Sequence, residues 1–172
     1  MGLKSDLQSS FEDNLDKGGE IADVAKLIVD NYKDAVEAGT DSLGNKWQGV
    51  NYKLIESAII AQLNLSFATK SYLQFTLIEA SLIAAWASAT LKLPAIPAPG
   101  MSLVNTGSVT ISSVVGTTPL VADSSSYDPI VTKFFSMFSK HSKTLTFLYV
   151  GIAIAGTPPP PISVPVSSFT IK

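Results

Sequence analysis

Apolar residues recur at intervals of three and four along the first part of the chain, which is the spacing of an amphipathic helix. They predict a short helix over residues 3–15 and a second helix from about Glu20 to Ala38. Residues 39–49 contain three glycines, an aspartate and an asparagine, which favour turns. This segment is predicted to be an ordered loop anchored by Trp47.

Residues 50–91 contain the longest pattern of this kind. Ser66 and Thr69 mark a predicted break into two helices. The second of these helices, from Ser71 to Leu91, is rich in Ala and Ser and has apolar residues on most of its faces. Such a distribution is typical of a central helix with neighbours on several sides.

The pattern changes after this helix. Pro94, Pro97 and Pro99 each fix one backbone dihedral angle and keep the preceding residue out of the helical region, so they predict an extended connector. Apolar residues then alternate with Ser and Thr over residues 109–114, which favours a short strand or an extended arm. Residues 116–126 are predicted to form a loop.

A last helix is predicted where Asp128 precedes Pro129 and apolar residues follow with helical spacing as far as Phe138. The apolar residues from 145 to 154 fit either a buried strand or a short helix. The tail over 158–172 begins with four prolines and is predicted to be extended, with polyproline geometry at its start.

Together these elements predict a mainly α fold, with an α+β arrangement as the alternative. The chain is expected to form a single domain, residues 1–172. We expect a helical part over 1–92, an extended connector and arm over 93–127, and a helix, a short strand and an extended C-terminal arm over 128–172. The body would be a helical bundle with a long Ala-rich central helix, a few short strands and proline-rich extended arms.

Composition narrows the classes of function. Charged residues make up 15% of the chain, against about 25% in an average soluble protein. Part of the apolar surface is therefore expected to contact something other than water. All the cations are Lys, and without Arg the chain lacks the planar group that favours bidentate contacts with guanine and phosphate. Sequence-specific nucleic-acid binding is not expected.

Neither a membrane-spanning helix nor a signal peptide is predicted, and a membrane is not an expected partner. The apolar segments 80–101 and 144–171 are interrupted by Pro and Gly before they reach the roughly twenty residues that a spanning helix needs. The N-terminus carries charged residues and has no apolar run before Ile21, unlike a signal peptide.

No group of residues has catalytic or metal-binding spacing. The chain has no Cys, and His141, its one histidine, lies beside Lys140 and is expected to be a helix-end cation or a surface residue. The glycines of 39–49 lack the following Lys of a phosphate-binding loop, and 41–45 lacks the later ligands of a calcium loop. No enzyme activity, cofactor or metal is predicted.

Acidic residues are concentrated early in the chain, and several share the second predicted helix with lysines. Grouped carboxylates are the ligands that hard cations prefer. Lysines three and four positions away instead predict ion pairs on a solvated helix face. The residues concerned are Asp23, Lys26, Asp30, Lys33, Asp34 and Glu37.

The Ala-rich helix carries three aromatic residues and one carboxylate that need an explanation. Tyr72, Phe75 and Trp86 fit core packing or a subunit contact, with a stacked ligand as the alternative. Glu79 lies among apolar residues and is expected either on a narrow exposed strip or in a pair, with Lys70 or a neighbouring chain as its partner.

Several short motifs follow one another in a recognisable order. They are Asn31-Tyr32-Lys33 with Ala35, Gly39-Thr40-Asp41 before Gly44-Asn45, an Ala-rich helix ending near Trp86, the connector 93–100, and a later helix before an extended end. In this order of parts the chain resembles the small virion structural proteins of tailed bacteriophages, which build necks, tail ends and baseplates. The resemblance spans most of the chain. It implies a homo-oligomeric virion protein, assembled in the host cytoplasm, with copies of itself and other virion proteins as partners.

We therefore expect a structural subunit of a multi-subunit assembly, a ring-like or tubular part of a phage neck, tail or baseplate. The segments 93–116 and 156–172 are expected to reach adjacent subunits. The alternatives are a membrane-active pore-forming or lysis protein, motivated by the apolar segments 71–91 and 144–155, and a small-ligand-binding or enzyme domain. The candidate subunit contacts are Trp47, Tyr72, Glu79, Trp86, Pro94, Pro97, Pro99, Pro158, Pro161 and Phe169.

Overall fold

A computed structural model of the chain describes residues 2–15, 19–40, 46–69, 73–92, 101–104, 128–153, 162–167 and 171. The helices in these ranges are α1 (Leu3–Leu15), α2 (Ile21–Ala38), α3 (Tyr52–Thr69), α4 (Phe75–Trp86) and α5 (Asp128–Thr144). The strands are β1 (Lys46–Gln48), β2 (Thr90–Lys92), β3 (Met101–Val104), β4 (Thr146–Ala153) and β5 (Ile162–Ser167). The fold is mainly α, as predicted, and its body is a helical bundle.

The predicted helices at both ends of the chain are confirmed. α2 begins after Glu20, whose backbone is extended, and ends where the Gly39 N–H donates to the Val36 carbonyl at 3.0 Å. The predicted break in the long pattern is also confirmed, because α3 ends at Thr69.

The Ala-rich helix is shorter than predicted. α4 has 12 residues, whereas α2 and α3 have 18 each, so the prediction of a long helix reaching Leu91 is wrong. After Trp86 the N–H groups of Ala87 and Ala89 donate to carbonyls three residues back, which closes the helix in turns. Residues 90–92 then form β2.

Part of the predicted loop over 39–49 is also a strand. β1 pairs antiparallel with β2, and Trp47 stands opposite Leu91. The chain leaves β1 through Gly49, whose φ of 81° is one that side-chain-bearing residues rarely adopt. The Asn51 N–H then donates to the Ala85 carbonyl at 3.1 Å, which ties the start of α3 to the end of α4.

A second sheet has the order β3–β4–β5 and is antiparallel throughout. Its central strand β4 follows α5 after the single residue Leu145, so the segment that fitted either a strand or a helix is a strand. β3 and β5 lie in the predicted extended arms and are extended, as expected. Each pairs with β4 of the same chain along one side, so that side is hydrogen-bonded without a second subunit.

The five helices close into one bundle. α1 packs against α5 and α2, α2 against α3, and α3 against α4. Aromatic rings join α4 back to α5, because Phe75 meets Phe134 with their centroids 4.9 Å apart. The buried side chains form a single cluster that includes Leu7, Ile28, Ile55, Leu82 and Met137. This core fixes which helix faces remain on the outside.

Candidate functional site

Three of the predicted subunit contacts lie inside the chain's own fold. Trp47, Glu79 and Trp86 are 4%, 3% and 0% exposed. The bundle and the β1–β2 ladder of the same chain cover these side chains. Their role as subunit contacts stays a prediction. Glu79 does not lie on an exposed strip, and it does not lack an interaction partner within the chain.

The other predicted contacts lie outside the described residues. They are Tyr72, Pro94, Pro97, Pro99, Pro158, Pro161 and Phe169. The possible calcium loop 41–45 and the predicted arm and loop over 109–126 fall outside them too.

Trp86 belongs to a buried aromatic cluster rather than to a ligand site. Its Nε1 donates a hydrogen bond to the Tyr32 hydroxyl at 2.7 Å, and the Tyr32 ring stacks on Phe138 with centroids 4.1 Å apart. Burial raises the pKa of Tyr32 well above its ordinary value, while the hydrogen bond from Trp86 acts in the opposite direction. Tyr32 is therefore a neutral acceptor that links α2 to the end of α4.

His141 completes this cluster and corrects another prediction. It is 1% exposed and lies against Trp86, with ring centroids 6.2 Å apart. Burial lowers the pKa of His141 from 6.5 to about 4, so the ring is uncharged at neutral pH. The expectation of a helix-end cation or surface residue is wrong, because α5 turns this position toward the core.

The outer face of α2 is charged, as predicted. Lys26 pairs with Asp30, and Lys33 lies 3.8 Å from Glu37. The hydrogen bond and charge of Asp30 raise the pKa of Lys26. These side chains are solvated ion pairs at helical spacing.

The outer faces of α3 and α4 differ sharply from that of α2. From Ser57 to Thr69 and from Leu73 to Ala89, the one charged residue is the buried Glu79. An exposed stripe of apolar residues runs along each of these two contacting helices. We call the two stripes the α3–α4 surface; its residues are Leu54, Ala61, Leu65, Ala68, Leu77, Ala80, Ala84 and Ala87.

Hydroxyl groups beside the α3–α4 surface are already bonded to the chain itself. Thr69 donates to the Leu65 carbonyl at 2.7 Å, Ser81 donates to the Leu77 carbonyl at 3.2 Å, and Ser88 donates to the Gly49 carbonyl at 2.7 Å. Removing these groups from water leaves fewer unsatisfied donors than removing free hydroxyls would. Burying these three hydroxyls therefore costs little, whereas the exposed Ser57, Asn64 and Thr76 need polar partners across a contact.

The large residues of this surface have apolar area to bury. Leu65 is 48% exposed and Leu77 is 49% exposed. Covering each would contribute on the order of 2 kcal/mol at about 25 cal/mol per Å². The intervening alanines let another helix approach closely, because they add little beyond the backbone. The α3–α4 surface is chemically suited to contact another uncharged protein surface.

A polar cleft of about 350 Å³ lies where α2 ends, and it is lined by Glu37, Lys46, Trp47, Gln48, Gly49 and Tyr52. Lys46 Nζ donates to the Glu37 carbonyl at 3.0 Å, so the lysine already occupies the negative C-terminal end of α2. Burial, together with Glu37 and Asp34, raises the pKa of Tyr52. A small polar ligand would have to displace this internal cap.

A second cleft, of about 660 Å³, lies between α1 and α5. It is lined by Gly2 before α1, by Leu3, Lys4, Ser5 and Gln8 of α1, and by Phe135 and Ser139 of α5. Ile171, near the end of the chain, also lines this cleft and packs against the core.

The described ranges lack the features of a metal site and of a membrane-spanning helix. They hold no group of three or more His, Asp or Glu side chains placed to bind a metal ion. Among the helices in those ranges, none combines the length and the apolar character that crossing a bilayer requires. Comparison with protein-family models, curated proteins and solved structures found no match to this chain.

Proposed function

We propose that this protein is a structural subunit of a multi-subunit assembly, and that the α3–α4 surface is the contact between copies of the chain. The observation that carries the proposal is the exposed stripe of Leu and Ala on two neighbouring helices, in ranges where the one charge is buried. A lone folded chain gains nothing from leaving such a stripe in water.

A second copy is the occupant that fits this surface best. The exposed positions of α1 and α2 include Lys4, Glu12, Lys33 and Glu37, and burying these groups against apolar side chains would cost several kcal/mol for each unpaired charge. An α3–α4 surface from another copy brings no such charge. A face that contacts the same face of another copy closes a two-fold pair, so a ring or tube also needs a second, separate contact between pairs.

The order of parts resembles that of small virion structural proteins of tailed phages. This resemblance supports a place for the assembly in a phage particle. We propose a ring-like or tubular part of the neck, tail or baseplate, with other virion proteins as further partners. The virion would be its location.

The test is the native mass of the purified chain, followed by electron microscopy of any oligomer. A discrete homo-oligomer with rings or tubes is expected, and a monodisperse monomer at high concentration would contradict the proposal. Liposome flotation in the same preparation covers the membrane-active alternative, because quantitative membrane binding without partners would favour that function instead.

A further inference from the structure

The last part of the chain is held by two separate contacts. β5 pairs with β4 from Thr146 opposite Ser167 to Gly151 opposite Ile162. Ile171 then lines the cleft between α1 and α5 and packs against the core. We call β5 and Ile171 together the C-terminal clasp. The two contacts define a binding surface for this segment, and any copy of the same segment fits that surface.

The link between β4 and the clasp is unusual for a hairpin. Residues 154–161 separate the two strands, whereas hairpin loops commonly have two to five residues. Half of the link is the run from Pro158 to Pro161, a sequence that favours the stiff polyproline helix. A link of this length does not require β5 to pair with the β4 of its own chain, because eight residues reach about 25 Å when extended.

β5 is also held on one side only within the described sheet. It is an outer strand of the order β3–β4–β5 and contains Pro165, a residue that edge strands tolerate because it lacks an N–H. Moving β5 to the β4 of another copy replaces each hydrogen bond by an identical one. The exchange therefore costs little contact energy, and the high local concentration inside an assembly favours it.

We propose that neighbouring subunits exchange their C-terminal clasps: β5 of one copy pairs with β4 of the next, and Ile171 enters the α1–α5 cleft of that copy. This inference rests on the proposed function, because exchange requires neighbouring copies. It adds to that function a second contact between neighbouring subunits, which is separate from the α3–α4 surface.

The absence of Cys from the chain allows a direct test. Tyr149 stands opposite Val164, and Val150 opposite Ser163. Neighbouring pairs of an antiparallel ladder alternate in geometry, so the double variants Tyr149→Cys/Val164→Cys and Val150→Cys/Ser163→Cys sample both kinds. Each is purified as its native oligomer, oxidised, and separated by denaturing electrophoresis without reductant. Tyr149→Cys alone controls for disulfides formed by random collision.

Covalent dimers and longer ladders, well above the single-Cys control, are the expected result. Mixing refolded Tyr149→Cys and Val164→Cys chains should likewise give a disulfide between two different molecules. An oligomer that yields only monomers closed by an internal disulfide would overturn the exchange while leaving the proposed function intact. A native mass equal to one chain would overturn the proposed function as well, so the two failures are distinguishable.

Discussion

α2 and α3 are helices of equal length in the same bundle, yet they present opposite surfaces. Each buries an apolar stripe, Ile28 and Tyr32 in α2 and Ile55 and Ile59 in α3. The outer side of α2 carries ion pairs, with 62% of Lys26 and 60% of Glu37 exposed. Beyond the exposed Lys53 in its first turn, the outer side of α3 carries Leu and Ala with Ser57 and Asn64, and that of α4 carries Leu and Ala with Thr76. Packing the core requires only the inner stripe, and the outer stripe without charge from Ser57 onward is the feature on which the proposed contact between copies rests.

The difference assigns separate roles to the two sides of the bundle. Ion pairs on α2 keep that face hydrated and discourage its burial. Burying the apolar side chains of the α3–α4 surface is favourable, and the Thr69 and Ser81 hydroxyls beside them are already bonded to backbone carbonyls. Adding a charge to the α3–α4 surface, disturbing the shared core and removing an ion pair from α2 should therefore have different consequences.

The largest effect is expected from charging the α3–α4 surface. Leu77→Glu places a carboxylate in the first turn of α4, where the helix dipole favours it, so the monomer should keep its stability. Burying that charge between copies should weaken assembly by at least about 100-fold. Ala22→Glu is the matched control, since it adds a carboxylate to an exposed first-turn position of α2. Equal oligomer affinities for the two variants, by sedimentation velocity, would refute the assignment.

The largest effect on the stability of each chain, as distinct from assembly, concerns the core behind both surfaces. Trp86→Ala removes a fully buried ring and the donor to Tyr32, and should lower the free energy of unfolding by about 3–5 kcal/mol in denaturant titrations. Trp86→Phe keeps most of the packing and should lower the free energy of unfolding by a smaller amount. A Trp86→Ala loss below 1 kcal/mol would show that this cluster does not hold α2 and α4 together.

His141 should make the core sensitive to acid. Because burial lowers its pKa to about 4, the protein binds this proton less readily when folded than when unfolded. The neutral ring contributes fully to the free energy of unfolding above about pH 6.5. This contribution, about 3 kcal/mol, is lost as the pH falls toward 4. His141→Gln should remove that part of the pH dependence of unfolding. An unchanged dependence between pH 7 and pH 4 would contradict the neutral buried histidine.

The smallest effect is expected on α2. Lys26→Ala breaks the ion pair with Asp30 on a solvated face, and should change the melting temperature by no more than about 2 °C and leave the oligomer unchanged. Loss of assembly in this variant would show that α2, rather than α3 and α4, carries the contact.

Helix positions could be predicted from the sequence because Leu7, Ile28 and Phe134 lie on simple periodic stripes. The end of α4 could not, because Leu91 fits a helical pattern and its place in a strand depends on pairing with distant Trp47. Dependence on distant residues also limited the prediction of the subunit contacts. Trp47, Glu79 and Trp86 are conspicuous by residue type, but their burial depends on neighbours far along the chain. The absence of charge over residues 57–91, apart from Lys70 and Glu79, was the signal that could have located the α3–α4 surface.

The central claim is that copies of this chain cover one another's α3–α4 surface, and rates of thiol labelling test it most directly. With no native Cys, the variants Leu65→Cys, Leu77→Cys and Lys33→Cys each carry one thiol on an exposed helix position. In the native oligomer, maleimide should label positions 65 and 77 at least about tenfold more slowly than position 33, and dilution to monomers should equalise the three rates. Equal rates in the intact oligomer would contradict the account.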